Sequence, residues 1–370
     1  MKTSFLCSNT YSDPAAHEQF YPAPRNRFDA TLGGQELDRW LEFARTADAL
    51  GFDYVSVSEH HYAPLMVSPN AAVLAGALSQ TLQHAGIAWL GPIVSIANPV
   101  RVAEEIAMLD QLTGGRLLVF LLRGTPNEFV TYNVDPSKTR AITEEASLLI
   151  RRALTEPEPF AWKGDQFDFP VVSVWPGATQ HPHPPLLTSG MSVDSVRFSA
   201  RNRFGIAISF YPPDIVAQLT DLYRTECDSV GFTPTSDQLL YRAFIAVGET
   251  DAHAEELRER FVPRELPKVP PPAGIGTDAD GRRHEGADQG GAGFAFGALQ
   301  FCGSAESVVA QIREFHAQTG IGHLDLAFTL GGITYAEAHD SLRRFGEQVL
   351  PQIRDLSDDR HAVGAGGVAG

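Results

Sequence analysis

The chain has 370 residues, enough for one large domain or two ordinary ones, and its 43 % hydrophobic and 20 % charged content excludes wholesale disorder. Lys and Arg number 29 against 45 Asp and Glu, a formal net charge of −16, which argues against nucleic-acid phosphates or anionic lipid as partners. Cys7, Cys227 and Cys302 lie far apart with no CxxC pair, which excludes a disulfide framework and a zinc ribbon.

Lys2 to Ser8 opens the chain as a strand. Leu37 to Leu50 carries apolar residues at helical spacing (Leu37, Trp40, Leu41, Ala44, Ala47, Leu50), and Gly51 ends that helix. Phe52 to Ser58 reads as a strand, Asn70 to Leu82 as a helix, and Gly86 to Ile96 as a strand. Pro99 to Leu112 is a helix with proline in its first turn and Gly114-Gly115 behind it. Arg116 to Leu122 is a buried strand, Lys138 to Leu154 a helix, and Pro185 to Ser189 a strand. A helix over Ser192 to Asn202, a strand over Gly205 to Ser209 and a helix over Asp214 to Ser229 follow. Leu239 to Val247 is a strand and a helix starts at Ala252. Ala298 to Cys302, Ser304 to Thr319, His323 to Thr329 and Tyr335 to Ile353 complete the alternation.

Strands alternating with helices predict a parallel sheet, and roughly eight such units predict an α/β fold of the (β/α)8 TIM-barrel type with insertions. The surplus length falls at 15–29, 156–184 and 262–293. The last stretch is rich in Pro and Gly without periodicity and reads as a mobile lid or a disordered linker. The expectation is a single barrel domain over 1–355 and a flexible tail over 356–370. A doubly wound sheet would carry a GxGxxG turn, and none is present. The N-terminal apolar stretch is too short for a signal peptide, and no apolar run approaches the roughly 20 residues of a membrane span. A soluble cytoplasmic protein is expected, without membrane or nucleic-acid partners.

In a barrel of this kind the chemistry sits beyond the C-terminal ends of the strands. After the second strand stand Glu59, His60 and His61. Neighbours in extended chain point to opposite faces, so the two histidines do not grip one metal ion; one catalytic imidazole held by its neighbours is the functional reading, and a rim histidine with a structural hydrogen bond is the plain alternative. After the fourth strand comes Arg123, a guanidinium ending an apolar run, suited to an anion or to a carboxylate such as Glu128. After the fifth, Ser192 and Ser195 open a helix whose N-terminus suits a phosphate, unless they serve only as its cap. No metal site, nucleophile elbow or Walker loop is found. The aromatics Phe5, Tyr11, Phe20, Tyr21, Phe210 and Tyr211 line a pocket or fill the core.

GFDYVSVSEHHY at 51–62, NPVRVAEEIAMLDQLTGGRLLVFLLRG at 98–124 and HPPLLTSGMSVDSVRFSARN at 183–202 resemble the bacterial luciferase-like flavin monooxygenases, as do CGSAESVVAQIREFHAQTGIGHLDLAF and FGEQVLPQIR near the end. The likeness runs from about Lys2 to Arg354. It implies a (β/α)8 barrel with flavin at the C-terminal face and a non-proline cis peptide in the strand around Ile87 to Ile96, at a position the sequence does not fix. By resemblance, His60 is the active-site histidine and Glu128 the acid behind it. Arg123, Ser192, Ser195 and the Met191 backbone hold the flavin phosphate.

The resulting expectation is a two-component monooxygenase. A separate flavin reductase supplies reduced FMN, O2 adds to form a C4a-peroxyflavin, and a largely apolar small-molecule substrate is oxygenated, as in secondary metabolism. A homodimer is expected. The rival readings are a deazaflavin-dependent hydride-transfer oxidoreductase and a flavin-binding protein without catalysis.

Overall fold

A computed structural model of the protein describes residues 1–6, 10–17, 22–62, 64, 68–261, 299–329 and 331–356. The loop expected at 262–293 and the tail from 357 onward lie outside the described residues. The chain begins with β1 (Lys2–Leu6), the short α1 (Pro14–His17), α2 (Ala30–Ala49), β2 (Tyr54–Val57), α3 (Ala71–Ser79), β3 (Gly86–Ile93), α4 (Pro99–Leu112) and β4 (Leu117–Leu122). Next come α5 (Pro126–Thr131), α6 (Thr139–Thr155), β5 (Phe160–Lys163), β6 (Asp168–Val172), β7 (Leu186–Ser189), α7 (Val193–Arg201), β8 (Gly205–Ser209) and α8 (Pro213–Ser229). The remainder is β9 (Leu239–Val247), α9 (Asp251–Arg260), β10 (Phe301–Gly303), α10 (Ala305–Thr319), β11 (His323–Ala327), α11 (Tyr335–Arg344) and α12 (Leu350–Ile353).

The strands β1, β2, β3, β4, β7, β8, β9 and β11 pair in that order, all parallel, and β11 returns to β1 with Lys2 opposite His323. The expected (β/α)8 barrel is therefore present. Two details depart from the sequence reading. The strand expected at 298–302 forms β10, which pairs only with the C-terminal part of β9 and stays outside the closed wall. Within the surplus at 156–184, β5 and β6 form an antiparallel hairpin, which Glu145 of α6 ties down by accepting from the Trp162 indole and from the backbone N–H groups of residues 165, 166 and 167.

Local chemistry explains the elements. Asn98 caps α4, its side chain accepting from the N–H groups of Val100 and Arg101, and Pro99 supplies a preset first turn. β4 is a continuous apolar run because both of its faces are buried. Leu117, Val119 and Leu121 pack outward into the large core under the helices, while Leu118 and Phe120 face the lumen. Gly91 sits where β3 meets β4 so closely that a Cβ would lie 1.7 Å from the Phe120 carbonyl oxygen, so only glycine fits. The peptide before it, Leu90–Gly91, is cis, which fixes the position the sequence left open.

The lumen has two unlike sides. Ala88, Leu90, Leu118, Phe120, Leu187, Ala207 and Leu240 form an apolar cluster. Opposite it, Ser4, Ser56, His323 and Asp325 are buried polar residues on β1, β2 and β11, joined by Arg242 of β9. At the C-terminal end of the barrel, Gln300 clasps Phe244: its N–H donates to the Phe244 carbonyl at 3.1 Å and its side-chain oxygen accepts the Phe244 N–H at 2.7 Å. Among the described residues no helix is long and apolar enough to cross a membrane.

Candidate active site

His60 lies just beyond β2, and Glu128 belongs to the first turn of α5, just beyond β4. Thr125 caps that short helix, and the Glu128 carboxylate turns back to it, accepting from the Thr125 N–H at 2.7 Å and from its hydroxyl. The other carboxylate oxygen accepts from His60 Nδ1 at 3.1 Å. Glu128 is fully buried. Burial opposes its charge, but the hydrogen bonds from His60 and Thr125 outweigh it and hold the carboxyl below its usual range. A carboxylate fixed in this way keeps the proton on His60 Nδ1, which leaves Nε2 of the partly exposed ring as the free nitrogen.

His61 turns the other way, as extended backbone requires. It is buried, packs edge-on to Tyr132 with ring centroids 4.9 Å apart, shares a hydrogen bond of 3.3 Å between its Nδ1 and the Tyr132 hydroxyl, and lies 3.8 Å from Glu59. Glu59 in turn accepts from the N–H groups of Ile93 and Ala71, pinning the end of β3 and the start of α3. Among the described residues no group of His, Cys, Asp and Glu is arranged to hold a metal ion.

Arg123 ends β4 next to Gly124, whose φ of +89° suits glycine alone in this turn. With Glu128 committed to His60 and Thr125, Arg123 pairs with no carboxylate among the described residues. Partial desolvation, together with the like charge of Arg140, holds its guanidinium below the usual range. Arg140, in the first turn of α6, pairs with Asp194 in the first turn of α7 at 3.2 Å. This arginine was missed in the sequence reading; its helical position seventeen residues after Arg123 gave no motif to follow. Ser192 and Ser195 form a reciprocal cap: the Ser192 N–H donates to Ser195 Oγ at 3.0 Å and the Ser195 N–H to Ser192 Oγ at 3.3 Å. The Met191 N–H reaches Ser189 Oγ at 3.3 Å and its carbonyl accepts from the Tyr211 hydroxyl at 3.3 Å. Arg123 thus feels the like charge of Arg140, which is tied through Asp194 to the start of α7, and a helix N-terminus beside a guanidinium suits an anion.

The aromatics singled out in the sequence divide. Phe5 is in the core outside the lumen, Tyr11 packs on Phe28, and Phe210 stacks on Phe244 at 4.5 Å over the barrel end; Phe20 and Tyr21 lie outside the described residues.

A family model described as luciferase-like monooxygenase matches residues 20–322. The chain belongs to the luciferase-like monooxygenase family. A curated protein of Sinorhizobium fredii, y4wF, is 31 % identical over 196 residues, 53 % of this chain and 56 % of that protein. The alkanal monooxygenase alpha chain of Photorhabdus luminescens is 28 % identical over 177 residues, 47 % of this chain and 49 % of its own length. The matched region spans about half the length of these relatives. Among solved structures, the monooxygenase RslO1 of Streptomyces bottropensis superposes with a TM-score of 0.73 at 22 % identity, covering 95 % of this chain and 99 % of that one. The oxygenating constituent of 3,6-diketocamphane monooxygenase of Pseudomonas putida, solved with FMN, gives 0.68 at 19 % identity, covering 95 % and 98 %. An F420-dependent secondary alcohol dehydrogenase gives 0.68 at 20 %, covering 96 % and 99 %. These likenesses place the chain in the fold of the family and leave its cofactor and substrate to the site.

Proposed function

We propose that the chain is an FMN-dependent monooxygenase that receives reduced FMN from a separate reductase and oxygenates a largely apolar organic molecule. The observation that carries this reading is Arg123, beside a second cation and without a carboxylate partner among the described residues. An anion relieves the repulsion between the two guanidinium groups, and a flavin phosphate set against them and the start of α7 is such an anion. Arg123, Arg140, Ser192, Ser195 and the Met191 backbone would hold it. Reduced flavin supplies the electrons with which one oxygen atom of O2 enters the substrate. His60 serves at Nε2 as the group that holds or moves a proton at the reacting centre, and Glu128 positions it through Nδ1. The apolar side of the lumen keeps water from the centre. FMN is preferred over a deazaflavin because a chain with a net charge of −16 offers little to a polyanionic tail. The lack of a dinucleotide fingerprint supports a separate reductase.

The test is oxygen consumption with chemically reduced FMN across a panel of apolar substrates. His60→Ala keeps FMN binding, lowers product formation by about 10²–10⁴-fold and raises hydrogen peroxide release. Unchanged product yield removes the role given to His60. Binding of a deazaflavin in place of FMN moves the chain to the hydride-transfer reading. A homodimer belongs to the same proposal: Val73 on α3 and Met108 and Leu112 on α4 are exposed on two helices that pack on each other, and sedimentation of the full chain tests it.

A further inference from the structure

The barrel has a second end. His60, Arg123 and Ser192 follow β2, β4 and β7, whereas a cavity of about 380 Å³ lies among the first residues of strands: Lys2 of β1, Tyr54 of β2, Leu118 of β4, Leu187 of β7 and His323 of β11, with Asp237 just ahead of β9. Its volume falls within the roughly 300–1,000 Å³ of small-molecule sites. β4 and β7 stand across the closed wall from β11 and β1, so the cavity reaches from the polar side of the lumen to the apolar side.

His323 is 1 % exposed. Its Nε2 meets Ser4 Oγ at 2.5 Å, while Nδ1 is buried with no partner among the described residues. The Ser4 hydroxyl has no other side-chain bond among them, so its proton lies toward Nε2. An imidazole kept neutral by burial then carries its own proton on Nδ1. The two ring nitrogens look in widely different directions, and Ser4 lies further along the barrel than Lys2, the residue opposite His323. The Nδ1–H therefore faces away from Ser4, toward the N-terminal end, and the ring is part of the cavity wall. A buried donor without an acceptor is costly, and a histidine with a purely structural task would have one. Tyr54 lies beside the imidazole with ring centroids 5.4 Å apart and planes 25° from parallel; its hydroxyl makes no hydrogen bond among the described residues, so packing alone holds it there.

The surroundings select the acceptor. Asp53, Asp237 and Asp325 all act on His323 as negative charges, and the opposing ammonium of Lys2 is already paired with Asp53 at 2.9 Å. An anion is repelled there. An ammonium has no lone pair to offer the Nδ1–H. The walls are the rings of Tyr54 and His323 on one side and Pro182, Pro185, Leu118 and Leu187 on the other, a lining of rings and hydrocarbon that suits a flat apolar body. We propose that the N-terminal end of the barrel is a second ligand site, in which the His323 Nδ1–H donates to an in-plane ring nitrogen of a neutral heteroaromatic molecule, with Tyr54 giving way to admit it.

Isoquinoline has such a nitrogen; naphthalene is its hydrocarbon counterpart and 2-naphthoate an anionic one. Ligand-observed NMR on the full-length protein at about pH 8, where histidines are neutral, measures all three. Isoquinoline binds about tenfold more tightly than either of the others. Nitrogen NMR of the histidine-labelled protein shows His323 as the Nδ1–H tautomer, and isoquinoline moves that signal. The signal is recognised without any variant, because this imidazole refuses a proton until pH falls to about 4. His323→Phe keeps a ring beside Tyr54 and removes the donor; it binds isoquinoline and naphthalene alike. Equal affinity of the wild type for isoquinoline and naphthalene overturns the proposal. So do preferred binding of 2-naphthoate, an Nε2–H tautomer at His323, and isoquinoline binding that leaves the His323 signal unmoved.

Discussion

On β9, Leu240 and Arg242 stand two residues apart on the same face, yet they belong to opposite sides of the lumen. Leu240 joins Leu90, Phe120 and Leu187 in a cluster stabilised by exclusion of water and close contact. Arg242 joins Asp325, Ser56, Ser4 and His323, where each polar atom must find a partner or carry a cost. The apolar side tolerates any well-fitted hydrocarbon and specifies little. The polar side instead demands a particular partner for each group.

Substitutions on the two sides separate these contributions. The largest loss is expected for Asp325→Ala, which strands the Arg242 cation in the lumen and lowers stability by about 3–5 kcal/mol; urea unfolding at neutral pH measures it. Leu240→Ala, on the apolar side, costs about 2–5 kcal/mol through lost transfer energy and a cavity. The loss follows the volume removed, so Leu240→Met stays close to wild type, whereas no isosteric swap rescues Asp325 as well as the paired removal of both charges.

His323 sharpens the contrast through pH. It is buried, its Nε2 meets Ser4 Oγ at 2.5 Å, and Tyr54 stacks on it. Burial pushes its imidazole down from the ordinary 6.5 to about 4. Between those values the unfolded chain binds a proton that the folded chain refuses. Stability therefore rises with pH from about 4 to about 6.5 and no longer depends on this group above that, a span of about 3 kcal/mol. His323→Gln flattens that part of the profile, while Leu240→Ala shifts the whole curve without changing its slope; unfolding midpoints at several pH values distinguish them. The smallest effect is expected outside the lumen, where Arg123→Ala weakens reduced-FMN binding by about 1.5–3 kcal/mol and leaves stability nearly unchanged. Equal wild-type affinity for FMN and riboflavin in a titration contradicts a phosphate site there.

The barrel was legible because its strongest pattern is local. Runs such as Leu117 to Leu122, closed by Gly and opened by caps such as Asn98 and Ser192, mark buried strands and bounded helices without tertiary information. Where an element is very short or depends on one distant partner, the pattern failed. α5 has six residues, too few to display a period, and it is organised by the Thr125–Glu128 cap. The hairpin of β5 and β6 did alternate, with Phe160 opposite Val172 and Trp162 opposite Phe169, but its anchor is Glu145 on another element.

The same rule governs the site. The reading of His60 and His61 as facing opposite ways follows from extended geometry and holds. Glu128 was weighed as a partner for Arg123 and as the acid behind His60; only the latter contact is made. Arg140 and the Arg242–Asp325 pair were missed. Arg242 left a visible trace, a lone arginine inside LLYRAFIAV, matched by a lone aspartate in HLDLAF. Reading the two together requires knowing that β9 and β11 are neighbours, a fact of topology that a single sequence does not state.

The clasp between Gln300 and Phe244 has an evolutionary consequence. Backbone on both sides of the 262–298 segment is secured to the barrel independently of that segment, at α9 on one side and through Gln300 and β10 on the other. Closing a chain between two fixed points becomes only slowly less favourable with length, about 0.6 kcal/mol for each doubling. The segment is therefore a place where natural variants or a designer can exchange, lengthen or shorten sequence while the pairing of β9 is kept. Variation in sequence and constancy of the barrel wall are in this way carried by different stretches of one chain.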